Sequence, residues 1–232
     1  FKQKTAYEML RSLVGSEMCI RDRPGGILDL LLARTGYTGE MMGFEILVHP
    51  DHAPLVWAQL LGHGADVGLR PAGLAARDSL RIEAGLPLYG HELAGPLDLR
   101  PDDAGLAAYV KVYKPFFVGR AAYQAHAAQR TLAVVRFRLD EKGVPMPKQG
   151  DRLVDRRGRV IGQVTSCAMD TEGLLVGMAA VDRRFAQPGE RVNVFAAARQ
   201  PTAKSPAELE LGDRVALASP ATLLERFPSR SG

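Results

Sequence analysis

The sequence predicts an α+β chain in two parts, and three observations carry that expectation. The first part alternates short apolar runs with helix-period segments, the second breaks into short β-like runs between turn residues, and 46% of the 232 residues are hydrophobic. That apolar share is enough for a full core, in one large domain or two small ones. The texture changes near Gln129, which is taken as the boundary between residues 24–129 and 130–232.

Residues 1–23 stand apart and are expected to be non-native. Lys2 and Lys4 fall there, whereas the rest of the chain favours Arg, Ala, Gly and Leu, and the string FKQKTAYEMLRSLVGSEMCIRD resembles a translated sequencing-adapter artefact joined to a truncated gene. The other reading is an amphipathic helix with Met9, Leu10, Leu13 and Val14 at helical spacing.

After the Pro24-Gly25-Gly26 break, Ile27 to Ala33 predicts a strand and Gly36 to Gly43 a glycine-punctuated loop or hairpin. Phe44 to His49 predicts a second strand, with Phe44, Ile46 and Val48 on one face and Glu45, Leu47 and His49 on the other. Asp51 is expected to cap a helix through Leu55, Val56, Leu60 and Leu61 that stops at Gly62 to Gly64. A helix from Gly73 to about Ala84 ends at Gly85, Leu97 to Asp103 is a loop rich in Pro and Asp, and a further helix spans Gly119 to Gln129. Beyond it, the runs Leu132 to Leu139, Arg152 to Val154, Arg159 to Thr165, Leu174 to Ala180 and Arg191 to Phe195 form the pattern of a small barrel or sandwich. The Arg157-Gly158 step suits a hairpin turn, and Pro145 and Pro147 keep their stretch out of a central strand.

Composition narrows the function. The net charge of +4 would suit an anionic partner, but no block of consecutive Lys or Arg marks a nucleic-acid patch, and the stacked aromatics of a single-strand binding surface are missing. A small-molecule role fits better. Two cysteines, Cys19 and Cys167, stand outside any CxxC, so neither a disulfide framework nor a zinc site is indicated, and a reducing cytoplasm is expected. No apolar run approaches the roughly 20 residues of a membrane span, and no signal-peptide pattern opens the chain.

Few residues invite chemistry. Glu45 in its strand would need a partner if buried, and a flat heterocycle with two adjacent N–H donors would serve; an edge-strand glutamate in water is the alternative. Arg77 and Arg81 share a helical row with Leu74 and Leu80, as stems snorkelling over a core edge or as a cationic lip on a cleft that grips a carboxylate. His49, His52, His63, His91 and His126 form neither HxxxH nor HxH, so no metal is expected. Gly36-Tyr-Thr-Gly39 lacks the spacing of a phosphate cradle, Ser79 and Ser166 lack a nucleophile-elbow context, and Cys167 reads as a small buried residue.

From Ala33 onward the chain resembles the glycine-cleavage T-protein family of tetrahydrofolate-dependent aminomethyltransferases. The resemblance rests on Ala33-Arg-Thr-Gly-Tyr-Thr-Gly-Glu40, Gly43-Phe-Glu-Ile46, Gly73-Leu-Ala-Ala-Arg-Asp-Ser-Leu-Arg-Ile-Glu-Ala-Gly85 and Leu88-Tyr-Gly-His-Glu92 in family order. Phe117-Val-Gly-Arg120 and Val160-Ile-Gly-Gln-Val-Thr-Ser166 extend it. It implies part of a ferredoxin-like α/β folate-binding domain followed by a C-terminal β-barrel. It also implies folate contacts at Tyr37, Glu45 and Arg77, with Tyr109 as a further candidate near a family tryptophan, and a lipoyl carrier protein (H-protein) as partner. The family reaction moves a one-carbon unit from an aminomethyl group on the lipoyl arm to tetrahydrofolate and releases ammonia. The family's key carboxylate lies upstream of the matching stretch, so no catalytic residue is assigned, and the polypeptide alone is expected to be inactive and poorly soluble.

Departures from the family pattern leave the donor open. The Tyr37 to Glu45 stretch is one residue longer, with Met41 and Met42 where an acidic residue and Gly are usual, and Ala94 to Ala104 is longer too, with Asp103 for Glu. The alternatives are a folate-dependent demethylase, the folate domain of a dimethylglycine or sarcosine dehydrogenase-like protein, and a non-catalytic folate-binding protein. Against the last, Lys114-Pro-Phe-Phe-Val-Gly-Arg120 has no cysteine where those relatives carry one.

Overall fold

The computed structural model describes residues 18–20, 30–195, 208–216 and 219–228. The segment set apart at the start lies outside the described residues except for 18–20. The chain forms two compact units, Phe1–Arg77 and Asp78–Gly232.

The first unit holds an antiparallel sheet in the order β1 (Met18–Ile20), β2 (Leu30–Ala33), β3 (Glu45–Val48). Strands β2 and β3 pair from Leu30 opposite Val48 to Ala33 opposite Glu45. Leu32, on the middle strand, is buried, but along β3 Glu45, Ile46 and Leu47 are all exposed. The in-and-out alternation expected of Phe44 to His49 therefore does not become a difference in burial: β3 is short and, among the described residues, has one strand neighbour and neither face fully covered.

A 3-10 turn, Pro50–His52, leads into helix α1 (Ala53–Gly64). Asp51 does not cap it. His49 accepts the Asp51 amide through Nδ1 at 3.4 Å, and the helix proper starts at Ala53, with His52 at the N-cap making no side-chain cap bond. The α-helix does end at Gly64, within the expected Gly62 to Gly64 stop, and a 3-10 turn, Ala65–Val67, carries the chain on to Gly68, whose φ of 77° reverses the backbone. The left-handed conformation that glycine adopts without strain is used only after that turn, at Gly68. Helix α2 (Leu74–Glu83) ends as its sequence predicts, with Gly85 at φ 72°, and the division between the units falls within it.

The second unit is built on a closed six-stranded barrel in the order β4-β7-β6-β5-β8-β9. Helix α3 (Arg120–Gln129) precedes it, entered through Gly119 at φ 86°. The strands are β4 (Leu132–Leu139), β5 (Arg152–Val154), β6 (Val160–Met169), β7 (Leu175–Asp182), β8 (Arg191–Phe195) and β9 (Ser219–Leu224). The last was not foreseen, and it closes the barrel by pairing with both β4 and β8.

Alternation along the strands sends Val135, Phe137, Leu139, Leu175, Ala179 and Val181 into the barrel core. From the same strands Val134, Val176, Met178 and Ala180 point outward, where Ile82, Leu99 and Ala104 cover them. That second layer buries β7 on both faces, and its sequence is accordingly apolar almost throughout. Gly177 is required there: a Cβ would stand 2.4 Å from Phe137 Cζ and 2.6 Å from the Ser166 carbonyl oxygen.

Candidate functional site

The loop 34–44 joins β2 to β3 and is pinched at its base. A Cβ on Gly43 would lie 3.1 Å from the Thr35 carbonyl oxygen and 3.3 Å from Gly36 Cα, so position 43 favours glycine. Gly39, at φ 87°, turns the tip, and Met41 and Met42 are exposed there. Tyr37 rises from the pinch half-buried, and the Arg77 guanidinium of α2 lies over its ring, 5.4 Å from the centroid. Such a stack fixes a guanidinium plane while leaving its N–H edges available. Among the described residues no carboxylate lies within ion-pair reach of Arg77.

Glu45 follows the loop directly, as the first residue of β3, opposite Ala33. It is exposed and forms no ion pair among the described residues. Of the two sequence readings, the structure gives the edge-strand carboxylate in water. Its acceptor oxygens are open to a ligand. The structure thus brings Tyr37 and Arg77 into contact and sets Glu45 at the same end of the hairpin. Tyr109 belongs to the second unit, 78% exposed in the 3-10 turn Ala107–Tyr109.

Arg81 is not a snorkelling neighbour of Arg77. It is fully buried, with Nη1 donating to Glu92 Oε2 at 2.8 Å, Nε to Asp78 Oδ1 at 2.7 Å and Nη2 to Ser166 Oγ at 2.9 Å. Ser166 donates in turn to Glu92 Oε1, and the Leu88 amide donates to Oε2 at 3.0 Å. The buried charges, Arg81 and Glu92, are paired with one another and Asp78 reaches Arg81 from the half-exposed side, so the group ties Arg81 and the 86–92 loop to β6 and leaves no nitrogen of Arg81 over for a ligand. Sequence reasoning missed it because Glu92 and Ser166 lie 11 and 85 residues away. The Leu88-Tyr-Gly-His-Glu92 motif carried the residue without its role.

A second buried group joins Asp102, Asp103 and His126, the only His and carboxylate cluster of metal-ligand reach among the described residues. His126 Nε2 meets Asp103 Oδ2 at 2.9 Å, and Arg130 Nη1 donates to Asp102 Oδ2 at 3.3 Å. The single Arg130 guanidinium faces both carboxylates, with Nε 3.8 Å from Asp103 Oδ1. Cys167 is half-buried in β6, and burial pushes its thiol up to about 12, so it stays protonated and unreactive near neutral pH.

Comparison with known proteins agrees with this architecture. Residues 19–114 match the GCVT N-terminal domain family. The chain is 48% identical over 168 residues to an aminomethyltransferase of Saccharopolyspora erythraea, covering 71% of this chain and 44% of that one. Against the aminomethyltransferase of Moorella thermoacetica it is 40% identical over 200 residues, covering 82% and 52%. The structure of glycine cleavage system aminomethyltransferase T from Bartonella henselae superposes with a TM-score of 0.66 at 30% identity, over 85% of this chain and 49% of that one. The chain spans about half the length of the curated relatives it matches. Fold and loop together define an α+β protein with a GCVT-type segment ahead of a β-barrel. The chain is similar to the C-terminal portion of aminomethyltransferases, a glycine cleavage T-protein among them, and its residues 19–114 carry the match to the GCVT N-terminal domain.

Proposed function

We propose that the chain carries the pterin-facing part of a tetrahydrofolate-dependent aminomethyltransferase, which accepts its one-carbon unit from the lipoyl arm of a carrier protein in the cytoplasm. The observation that supports this most is the Arg77 guanidinium, with no carboxylate partner among the described residues, held over Tyr37 on the loop that leads into Glu45. An exposed carboxylate can accept adjacent N–H donors of a flat heterocycle, an aromatic ring can border its face, and a preset guanidinium can meet a carbonyl or anionic oxygen. The names of the relatives favour the same reading. No helix among the described residues is long and apolar enough to cross a membrane.

The test is calorimetric titration of tetrahydrofolate into the chain, beside Arg77→Ala, Tyr37→Ala and Glu45→Ala. A hydrogen bond to a charged group contributes about 1.5–3 kcal/mol, so Arg77→Ala and Glu45→Ala should each weaken binding by about tenfold or more. Binding that all three variants leave unchanged, or no binding to a chain shown to melt cooperatively, would overturn the assignment of these residues.

A further inference from the structure

The turn between β5 and β6 reads Asp155-Arg-Arg-Gly-Arg159, and it is tight, with the Gly158 amide donating to the Asp155 carbonyl at 3.0 Å. The segment 213–215 runs along it: the Val215 amide donates to the Gly158 carbonyl and the Val160 amide to the Asp213 carbonyl, both at 2.8 Å. Those two bonds flank an antiparallel bridge between Arg159 and Arg214. They make it a non-hydrogen-bonded pair, the kind in which opposing side chains stand closest and share a face. Two arginines directly opposite repel one another, so the position is unfavourable unless a negative charge sits between or above them.

Counter-charge among the described residues is incomplete. Asp155 reaches Arg159 at 3.3 Å, but its carboxylate also accepts the amides of Arg157 and Arg159 at 2.8 and 2.9 Å. Arg184, which shares the Phe185 ring with Arg159, is neutralised by Asp182. No ion pair reaches Arg156, Arg157 or Arg214 among the described residues. Arg156, Arg157, Arg159 and Arg214 line a hollow of about 540 Å³ with Asp155 and Glu190, four guanidinium groups to two carboxylates. Phe185 forms its apolar wall and steadies Arg159, whose guanidinium lies 4.9 Å from the ring centroid.

We propose that this hollow at the β5–β6 end of the barrel binds a small, multiply charged oxyanion, either a phosphate-bearing group or a cluster of carboxylates. Guanidinium forks meet both through paired N–H donors, and a ligand of about two negative charges would match the excess of arginine over carboxylate. The site is independent of the loop around Tyr37 and does not rest on the folate reading.

The experiment is titration of inorganic pyrophosphate, and separately citrate, into the full chain at low ionic strength, beside Arg214→Glu and Arg157→Gln. The wild type should bind at least one anion, and Arg214→Glu should weaken that binding by tenfold or more. Because Arg214→Glu replaces a like-charged cross-strand pair by an opposite one, it should melt no lower than the wild type, which separates lost binding from lost folding. Arg157→Gln, on the turn, should weaken binding to a lesser degree. Preference for pyrophosphate would identify a phosphate ligand, and preference for citrate a carboxylate one. No binding of either anion, or binding that Arg214→Glu leaves unchanged, would overturn the proposal. Tetrahydrofolate binding is expected to be the same in Arg214→Glu as in the wild type, so the two sites stand or fall separately.

Discussion

The barrel and the three-stranded sheet are both antiparallel, yet they handle their edges and faces in opposite ways. In the barrel, β9 returns to β4, every strand has two neighbours, and both faces of β7 are buried. In the sheet, β3 has one strand neighbour among the described residues, three of its four residues are exposed, and Ile46 and Leu47 stand among them. The barrel closes its hydrogen bonding within itself, so its stability is local to the second unit. The sheet leaves an edge and apolar side chains open, and the residues proposed to bind folate sit at its end.

Helix α2 sharpens the contrast, because Arg77 and Arg81 lie one turn apart on it and do different work. Removing one partner of a buried, hydrogen-bonded ion pair typically costs about 3–5 kcal/mol. Arg81→Ala should therefore unfold at much lower urea, whereas Arg77→Ala, which loses a stack on a half-buried tyrosine, should lose about 0.5–1 kcal/mol. Replacing the group together, as Arg81→Met with Glu92→Leu and Ser166→Ala, should recover most of the loss, since no buried charge is left unpaired and Asp78 is half-exposed. Equal and small costs for both single variants would break the contrast.

The second prediction lies inside the barrel wall. Gly177→Ala would press a methyl group against Phe137 and the Ser166 carbonyl, and overpacking of this kind costs about 1–3 kcal/mol. The same change at Gly90, where an added Cβ meets nothing within 4 Å, puts no atom against a neighbour, though its φ of 91° still strains any side chain. Thermal melts of the two variants separate steric from backbone cost. A Gly177→Ala protein as stable as the wild type would mean that the barrel wall gives where its packing says it should not.

These contrasts were legible in the sequence to different depths. Alternating apolar residues fixed the bounds of β4, β5 and β8, because a residue pointing into a barrel core must be apolar whatever lies far away in the chain. Strand β6 runs on through Ser166 to Met169, past the expected end at Thr165, since Ser166 is satisfied by Arg81 and Glu92 rather than by solvent. Strand β9 was missed because Ser219-Pro220-Ala221-Thr222 has the composition of a turn, and only its pairing with β4 and β8 makes it a strand. Arg77 and Tyr37 could be named from motif resemblance, but their contact depends on how the pinched loop meets α2, which no spacing encodes. The Arg159 and Arg214 opposition was likewise hidden, being a register between segments 55 residues apart in number.

The smallest effect tests the sheet. Leu47 is 54% exposed on the edge strand, so Leu47→Lys should alter stability by no more than about 0.5 kcal/mol, as surface substitutions do. Its consequence should appear in self-association instead. A lysine on an exposed edge opposes strand-to-strand pairing between molecules and interrupts an apolar surface. Sedimentation velocity across a concentration series should show less association for Leu47→Lys than for the wild type, with matching melts. If the substitution instead lowers the melting transition as far as a core replacement would, then Leu47 is covered in solution, and the open edge that distinguishes the sheet from the barrel is not how the protein exists there.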